Sequence, residues 1–101
     1  MSKMFGKVTI NGNTNNATNW TQVSSSATDN GTATFQLYAY LGVQLVVNAD
    51  TAAAANTAAA AGTYLYIPAS VLHTVVLNPT TTWVRQEANA ATNSCHFYRW
   101  E

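Results

Sequence analysis

Few residues in this sequence could carry out chemistry. The candidate metal ligands are two histidines, one cysteine and one glutamate in strand-like segments, namely His73, His96, Cys95 and Glu87. A transition-metal site needs three or four ligands that converge in space, and the spacing of these residues does not bring them together. The sequence also contains no GxSxG elbow, no phosphate loop, no HExxH and no close pair of carboxylates. Arg85 lies two residues from Glu87 on the same strand face, and we expect the two to form a solvated ion pair. We therefore expect no metal, no cofactor and no enzymatic activity.

The stretch GTYLYIPASVLHTVVLN places a glycine, a proline and a histidine among alternating apolar residues. The spacing of Gly62, Pro68 and His73 resembles the second motif of the cupin family, which places a metal-binding histidine after a strand and a turn. Ser70 stands where that family has a second glycine, and Leu77 where it has an asparagine. The first cupin motif, with two closely spaced histidines and a glutamate, has no counterpart. We therefore interpret the stretch as two strands and a turn, with His73 on a polar or subunit-facing side.

The single cysteine, Cys95, has no second cysteine with which to form an internal disulfide. Its neighbour His96 could activate a thiol. However, adjacent side chains of a strand point to opposite faces of the sheet. We therefore expect Cys95 to be a buried or half-buried packing residue.

The charge of the chain excludes several classes of partner. Four basic and four acidic residues give a formal net charge of zero over 101 residues. Affinity for nucleic acid comes from clustered lysines and arginines, so we expect no nucleic-acid partner and no anionic membrane partner. We see no secretory signal and no membrane span in the sequence. The length predicts one domain, 1–101, and the low charge favours a protein held in an assembly.

Period-two alternation of apolar residues dominates the chain and indicates strands. Two turn-rich segments, Asn11–Trp20 and Ser24–Thr32, separate the first strands. We predict an all-β fold, an antiparallel β-sandwich of jelly-roll or Ig-like type with six to eight short strands and at most one short helix. The predicted strands are Lys7–Ile10, Trp20–Val23, TATFQLYAYL, VQLVVN, TYLYIP, VLHTVVL, TWVRQEA and SCHFYRW.

One segment departs from the strand pattern, the alanine-rich run TAAAANTAAAAG. Alanine favours helix, Asp50 or Thr51 could cap its start, and Gly62 could end it. Asn56 and Thr57 interrupt the run, and alanine offers little apolar bulk for packing. A short helix over Thr51–Ala61, a loop, and a flat strand of small residues remain open alternatives.

The alternation also predicts which residues face the core and which face outward. Tyrosine and tryptophan are enriched in interfaces, because they bury much area at low entropic cost. Trp83 is assigned to the core with the other large apolar residues. The predicted inward-facing set is Phe35, Leu37, Leu45, Val47, Leu65, Ile67, Val75, Leu77, Val84 and Phe97. The predicted interface residues are Tyr38, Tyr40, Tyr64, Tyr66, Tyr98 and Trp100, with the loops Asn11–Asn19 and Ser24–Gly31 and the end of the chain to Glu101. For the first four tyrosines, partial cover within the monomer is an equal alternative.

From about Ala49 onward, the order of features resembles the small β-sandwich proteins of tailed-phage virions, especially capsid decoration or cement proteins. The features are the alanine- and threonine-rich stretch, AGTYLYIPAS, an apolar strand, TTTWVRQEA and a closing aromatic strand. The resemblance implies a non-enzymatic structural role in the virion, after assembly in the host cytoplasm. It implies binding to the major capsid protein or another virion protein, and a homo-oligomer that is often trimeric.

Two other function classes remain as alternatives. A carbohydrate-binding module of a phage fibre or surface protein would use aromatic platforms flanked by amides, for which Trp20 or Trp100 could serve if exposed. A cupin-like metal-binding protein would depend on His73 and is less favoured.

Overall fold

The structure, a computed structural model, describes residues 2–14 and 16–100 and contains eight strands and one α-helix. The strands are β1 (Ser2–Ile10), β2 (Thr21–Gln22), β3 (Ala33–Ala39), β4 (Val43–Val46), β5 (Leu65–Ile67), β6 (His73–Leu77), β7 (Trp83–Gln86) and β8 (Asn93–Trp100). The helix α1 (Ala52–Ala60) lies between β4 and β5, and 3₁₀ turns occur at Ala17–Asn19, Ala27–Asp29 and Pro79–Thr81. Each predicted strand is present, although β1 begins five residues before the predicted Lys7–Ile10 and β2 is shorter than Trp20–Val23.

The strands form two four-stranded antiparallel sheets. Sheet A has the order β1-β8-β3-β6, and sheet B has the order β2-β7-β4-β5. The pairs β1–β8, β2–β7, β3–β6 and β4–β5 are nested, as in one long hairpin that has been rolled up. This arrangement of eight strands in two sheets is a jelly roll. The predicted antiparallel β-sandwich is therefore confirmed.

Residues of both sheets form one buried apolar cluster, the main core. The ring of Phe97 from β8 stands edge-on to that of Phe35 from β3, with the centroids 6.5 Å apart. Seven predicted core residues are buried, and Val75 is half-buried against them. The seven are Phe35, Leu37, Leu45, Ile67, Leu77, Val84 and Phe97. The prediction missed Val8, Ile10, Val23 and Val43, and it counted Cys95 only as a packing thiol; all five belong to the cluster.

Two predicted core residues, Val47 and Leu65, are exposed by 37% and 50%. Leu65 pairs with the buried Leu45, so it occupies the inward face of its strand as predicted. Both side chains border an open cleft of about 490 Å³ on the side of β4 and β5. The period-two alternation identified the inward face correctly. However, the apolar side chains that cover this face elsewhere do not extend to this part of sheet B.

The alanine-rich segment is helical, so the loop and strand alternatives are wrong. The hydroxyl of Thr51 accepts a hydrogen bond of 3.1 Å from the backbone N–H of Ala54 and caps the start of α1. At the other end Gly62 adopts φ 84°, and the N–H of Thr63 donates to the carbonyl of Ala58 over 2.8 Å. This pattern, with Gly62 N–H donating to Ala59, is a Schellman motif that satisfies the last carbonyls of the helix.

A second buried cluster lies between α1 and the outer face of sheet B. It contains Trp20, Val46, Ala49, Ala55 and Ala59. The predicted core residue Trp83 is half-buried in this cluster and not between the sheets. The small alanine side chains let the helix backbone approach the sheet closely, and Trp20 supplies the missing bulk.

We expect Phe97→Ala to destabilise the fold by about 3 to 5 kcal/mol, because it leaves a cavity beside Phe35 in the main core. For a domain of this size the melting temperature should fall by about 12 °C or more, as thermal denaturation followed by circular dichroism would show. Met4→Ala, at a large side chain that is 51% exposed, is the control and should leave the melting temperature nearly unchanged. Equal melting temperatures for the two variants would contradict the assignment of Phe97 to the core.

Candidate binding surface

The outer face of sheet A presents tyrosine side chains to solvent. In the β3–β8 pair, Tyr38 lies opposite His96 and Gln36 lies opposite Tyr98. Paired residues share one face of a sheet, and their neighbours Leu37 and Phe97 point into the main core. Tyr40 follows in the bend after β3. We call the group Gln36, Tyr38, Tyr40, His96 and Tyr98 the tyrosine face.

Ring contacts hold the most exposed member of the tyrosine face in place. Tyr40 is 50% exposed, yet its ring stands edge-on to Tyr38 at 5.4 Å and to His96 at 5.8 Å between centroids. Edge-to-face pairs of this kind contribute about 0.5 to 1.5 kcal/mol each beyond area burial. A partner that packs on Tyr40 therefore meets a ring that has already lost part of its rotational freedom.

A shallow depression of about 250 Å³ lies at the centre of the tyrosine face. Gln36, Tyr38, Leu72 and Tyr98 line it. These side chains offer apolar ring surface, phenol hydroxyls and one neutral amide. The depression can therefore bind a partner by apolar burial and neutral hydrogen bonds.

The predicted interface residues do not form one surface. Tyr38, Tyr40 and Tyr98 belong to the tyrosine face, and Trp100 lies at the end of β8 with 52% of its surface exposed. Tyr64 and Tyr66 belong to the other side of the molecule. The predicted surface also included Glu101 and, in the first loop, Asn15, which lie outside the described residues.

Tyr64 and Tyr66 lie beside sheet B. Tyr64 precedes β5 and packs against the second cluster. Tyr66 pairs with Gln44 on the outer face of sheet B and is 54% exposed. Its hydroxyl lies so close to Gly42 that a Cβ at that glycine would come within 2.6 Å of it. The two residues therefore cannot share a flat contact surface with Tyr38 and Tyr40.

A buried arginine lies under α1, where the sequence predicted a solvated ion pair of Arg85 with Glu87. Arg85 is 3% exposed, and its guanidinium carbon lies 4.4 Å from the centroid of the Trp20 ring. Its Nε donates to Oε1 of Gln44 over 2.8 Å, and Nε2 of Gln44 donates to Glu87 over 2.7 Å. The prediction of a solvated pair is therefore wrong for Arg85, because an amide links the two charged groups.

Asn56 of α1 completes the contacts of this arginine. Its Oδ1 accepts hydrogen bonds from Nη1 of Arg85 over 3.2 Å and from Nε1 of Trp20 over 3.1 Å. Burial lowers the pKa of Arg85, and the nearby Glu87 and Tyr64 partly offset this effect. Because the ordinary pKa of arginine lies far above neutrality, the guanidinium stays charged. The arrangement stabilises the fold and leaves Arg85 little access to a ligand.

The two histidines lie on opposite faces of sheet A. His73 pairs with the buried Leu37 and so lies on the inward face, whereas His96 belongs to the tyrosine face. The expectation that His73 occupies a polar or subunit-facing side is wrong: it is half-buried, and its Nε2 is buried without a hydrogen-bond partner. In residues 2–14 and 16–100, no three histidine, cysteine, aspartate or glutamate side chains are grouped so that they could hold a metal ion.

The turn before β6 keeps a feature of the motif that it resembles. Ser70, at the position of the second glycine, adopts φ 60°, a conformation that glycine favours. Its N–H donates to the carbonyl of Ala39 over 2.7 Å and ties the turn to the end of β3. The spacing from Pro68 to His73 therefore reflects the geometry of this turn, whereas Gly62 lies at the end of α1.

Cys95 is fully buried in the main core, as expected for a packing thiol. Burial raises its pKa to about 12, because the apolar surroundings disfavour the thiolate. The thiol is therefore protonated at neutral pH and shielded from reagents in solution.

Comparison with protein-family models, with curated proteins and with solved structures gave no match. Among the described residues, no helix has both the length and the apolar character needed to cross a membrane. The candidate function therefore depends on the surfaces themselves, of which the tyrosine face is the one built from aromatic side chains without a covering helix.

We expect Asn56→Ala to destabilise the protein by about 1 to 3 kcal/mol, because Arg85 and Trp20 lose a shared acceptor in a buried place. The loss should appear in urea denaturation although alanine is the better helix former. Thr57→Ala, at the next and exposed position of α1, is the matched control and should change stability far less. If both variants unfolded at the same urea concentration, the buried hydrogen bonds of Asn56 would not matter for stability.

Proposed function

We propose that this protein is a non-enzymatic virion structural protein that attaches to a capsid lattice through the tyrosine face. The observation that carries the proposal is that a helix covers the outer face of one sheet and not that of the other. Helix α1 and Trp20 cover the outer face of sheet B, whereas no helical segment of the described residues packs on the outer face of sheet A. Exposed aromatic surface of this kind is typical of protein contacts.

The fold is consistent with the proposal but does not decide it. Jelly rolls occur in viral capsid proteins, lectins and cupins, which are the three classes that the sequence left open. Function must therefore be argued from a site. The resemblance to capsid decoration proteins favours the first class, and the lack of a grouped set of metal ligands among the described residues gives the third class no support.

The distribution of charged residues also favours attachment through the tyrosine face. The tyrosine face contains no carboxylate, lysine or arginine, and Lys7 of β1 pairs with His96 at its border. Contacts made by such a face consist mostly of apolar burial and neutral hydrogen bonds. Since salt screens exposed charges and hardly affects buried apolar contacts, attachment should change little with ionic strength.

We expect the double variant Tyr38→Ala and Tyr40→Ala to bind particles of the virus that encodes the chain at least about tenfold more weakly, which corresponds to about 1.4 kcal/mol. Co-sedimentation of the purified protein with particles that lack it would measure this, at low and at high salt. Circular dichroism would confirm that the variant is folded.

The matched control is Tyr66→Ala, which removes an equally exposed tyrosine from sheet B and should leave attachment unchanged. His73→Ala should also retain attachment. If His73→Ala abolished function while the double tyrosine variant bound normally, attachment through the tyrosine face would be wrong and the cupin-like reading would replace it.

A carbohydrate-binding function is the second candidate, and the depression between Tyr38 and Tyr98 favours it. Its two rings and the amide of Gln36 are groups that bind sugars by stacking and hydrogen bonding. Of the two tryptophans considered from the sequence, Trp20 is only 4% exposed and its Nε1 bonds to Asn56, so it cannot serve as a platform. Trp100 remains exposed.

Titration with neutral oligosaccharides from a glycan array would separate the two candidates. A sugar-binding protein should show a saturable change in intrinsic fluorescence that Tyr98→Ala removes and Tyr66→Ala retains. We expect no saturable response, because the lattice proposal assigns this face to a protein partner.

A further inference from the structure

Strand β6 is an open edge of sheet A. Within residues 2–14 and 16–100 it pairs with β3 alone. In an antiparallel pair, alternate residues of an edge strand point their N–H and C=O groups away from the sheet. The edge of β6 can therefore accept the backbone hydrogen bonds of a further strand.

The other three edges of the two sheets are protected in ways that β6 is not. Natural sheets protect edges with lysines, with very short strands and with proline. β1 carries Lys3 and Lys7, β2 has two residues, and β5 has three residues followed by Pro68. β6 has five residues, HTVVL, and none of them is an aspartate, glutamate, lysine or arginine. No such residue occurs between Asp50 and Arg85.

Exposed apolar side chains accompany this open edge. Val76 is the most exposed large apolar residue of the described chain, at 66%. Val71 and Leu72, in the turn that leads into β6, are exposed by 50% and 51%. We call Val71, Leu72 and Val76 the β6 side.

We propose that the β6 side binds a second copy of this chain, with the two β6 strands pairing antiparallel about a two-fold axis to make a continuous eight-stranded sheet. Full overlap of residues 73–77 centres the pair on Val75. Thr74 of each copy then lies opposite Val76 of the other copy, on the outer face of the joined sheet. β-branched cross-strand neighbours of this kind are favourable, and the most exposed valine becomes covered.

The absence of charge makes β6 compatible with a second copy as the occupant. A two-fold contact joins the same surface of both copies. A charged side chain near the axis would therefore lie close to the same side chain of the other copy and be repelled by it. The residues from 51 to 84 contain no aspartate, glutamate, lysine or arginine, so β6 can meet itself in any register without such repulsion.

Self-pairing and lattice attachment share only Leu72, which also lines the depression of the tyrosine face, and the variants that test them lie at other residues, so each can fail without the other. The axis of the proposed pair is perpendicular to the joined sheet, which places both tyrosine faces on the same side. A dimer would then present two attachment surfaces to one lattice, and binding of the first would raise the local concentration of the second.

Sedimentation equilibrium of the purified full chain tests the proposal. We expect the wild type to have about twice the chain mass of 10.8 kDa, and Val76→Lys to weaken the dimer by about tenfold or more, because it places a charge beside the axis. Thr9→Lys, at an exposed residue of the β1 edge, is the matched control and should remain dimeric. A monomeric wild type at hundreds of micromolar, or Val76→Lys with the affinity of the wild type, would overturn the proposal.

Mixing two charged variants tests whether β6 pairs with β6. The chains Thr74→Lys with Val76→Lys and Thr74→Glu with Val76→Glu should each be monomeric alone and should form a dimer when mixed, because opposite charges then face each other. If the mixture stayed monomeric while the wild type was dimeric, the dimer would use another surface. Circular dichroism of each variant confirms that loss of association is not loss of folding.

Discussion

A guanidinium group under an alanine helix determines which side of this sandwich is closed. Arg85 stacks on Trp20 and donates to Gln44 of β4 and Asn56 of α1, so it joins the segment before β2, two strands of sheet B and the helix. A buried charge is costly unless its hydrogen bonds are made. The helix and Trp20 are therefore required partners of the arginine, and sheet B cannot present the same surface as sheet A.

The helix itself depends on this contact, since an isolated helix of nine residues is marginal in water. Its caps at Thr51 and Gly62 satisfy the end groups, but its apolar contribution comes only from alanines such as Ala55 and Ala59. The close approach that alanine permits brings Asn56 within hydrogen-bond distance of Arg85 and Trp20. Sheet A, which lacks such a cover, leaves Tyr38 and Tyr98 on an open outer face, so the difference between the two outer faces follows from one buried network.

Much of this fold could be predicted from the sequence, and what could not has a physical reason. Period-two alternation identified all eight strands and the inward face that holds Phe35, Leu37 and Phe97, because side-chain direction in a strand depends only on local order. Alternation could not show where the apolar side chains that cover a face end, so Val47 and Leu65 were predicted to be buried. It could not show what lies above a sheet either, so Arg85 appeared exposed and Trp83 was assigned to the wrong cluster.

The candidate site was predictable only in part for the same reason. Tyr38, Tyr40 and Tyr98 were correctly placed opposite the core, because they alternate with buried residues. That Tyr64 and Tyr66 belong to another sheet follows from the nested pairing of strands, which no local pattern records. The edge position of β6 likewise depends on strand order. The uncharged run from residue 51 to 84 was visible in the sequence, but its meaning required the topology.

The nested pairing also has a consequence for how the chain folds. β8, which follows the other seven described strands in chain order, lies between β1 and β3 in sheet A, so β1 has no partner in its sheet until β8 has emerged. At about 5 to 20 residues per second, synthesis from β1 to β8 takes on the order of 5 to 20 s, during which β1 and β3 lack the strand that lies between them. Contacts between the two ends of a chain give a high contact order, and such folds form slowly, in milliseconds to seconds. Sheet A is therefore completed only once β8 has emerged from the ribosome, and until then its apolar strands must be shielded by chaperones or by rapid collapse.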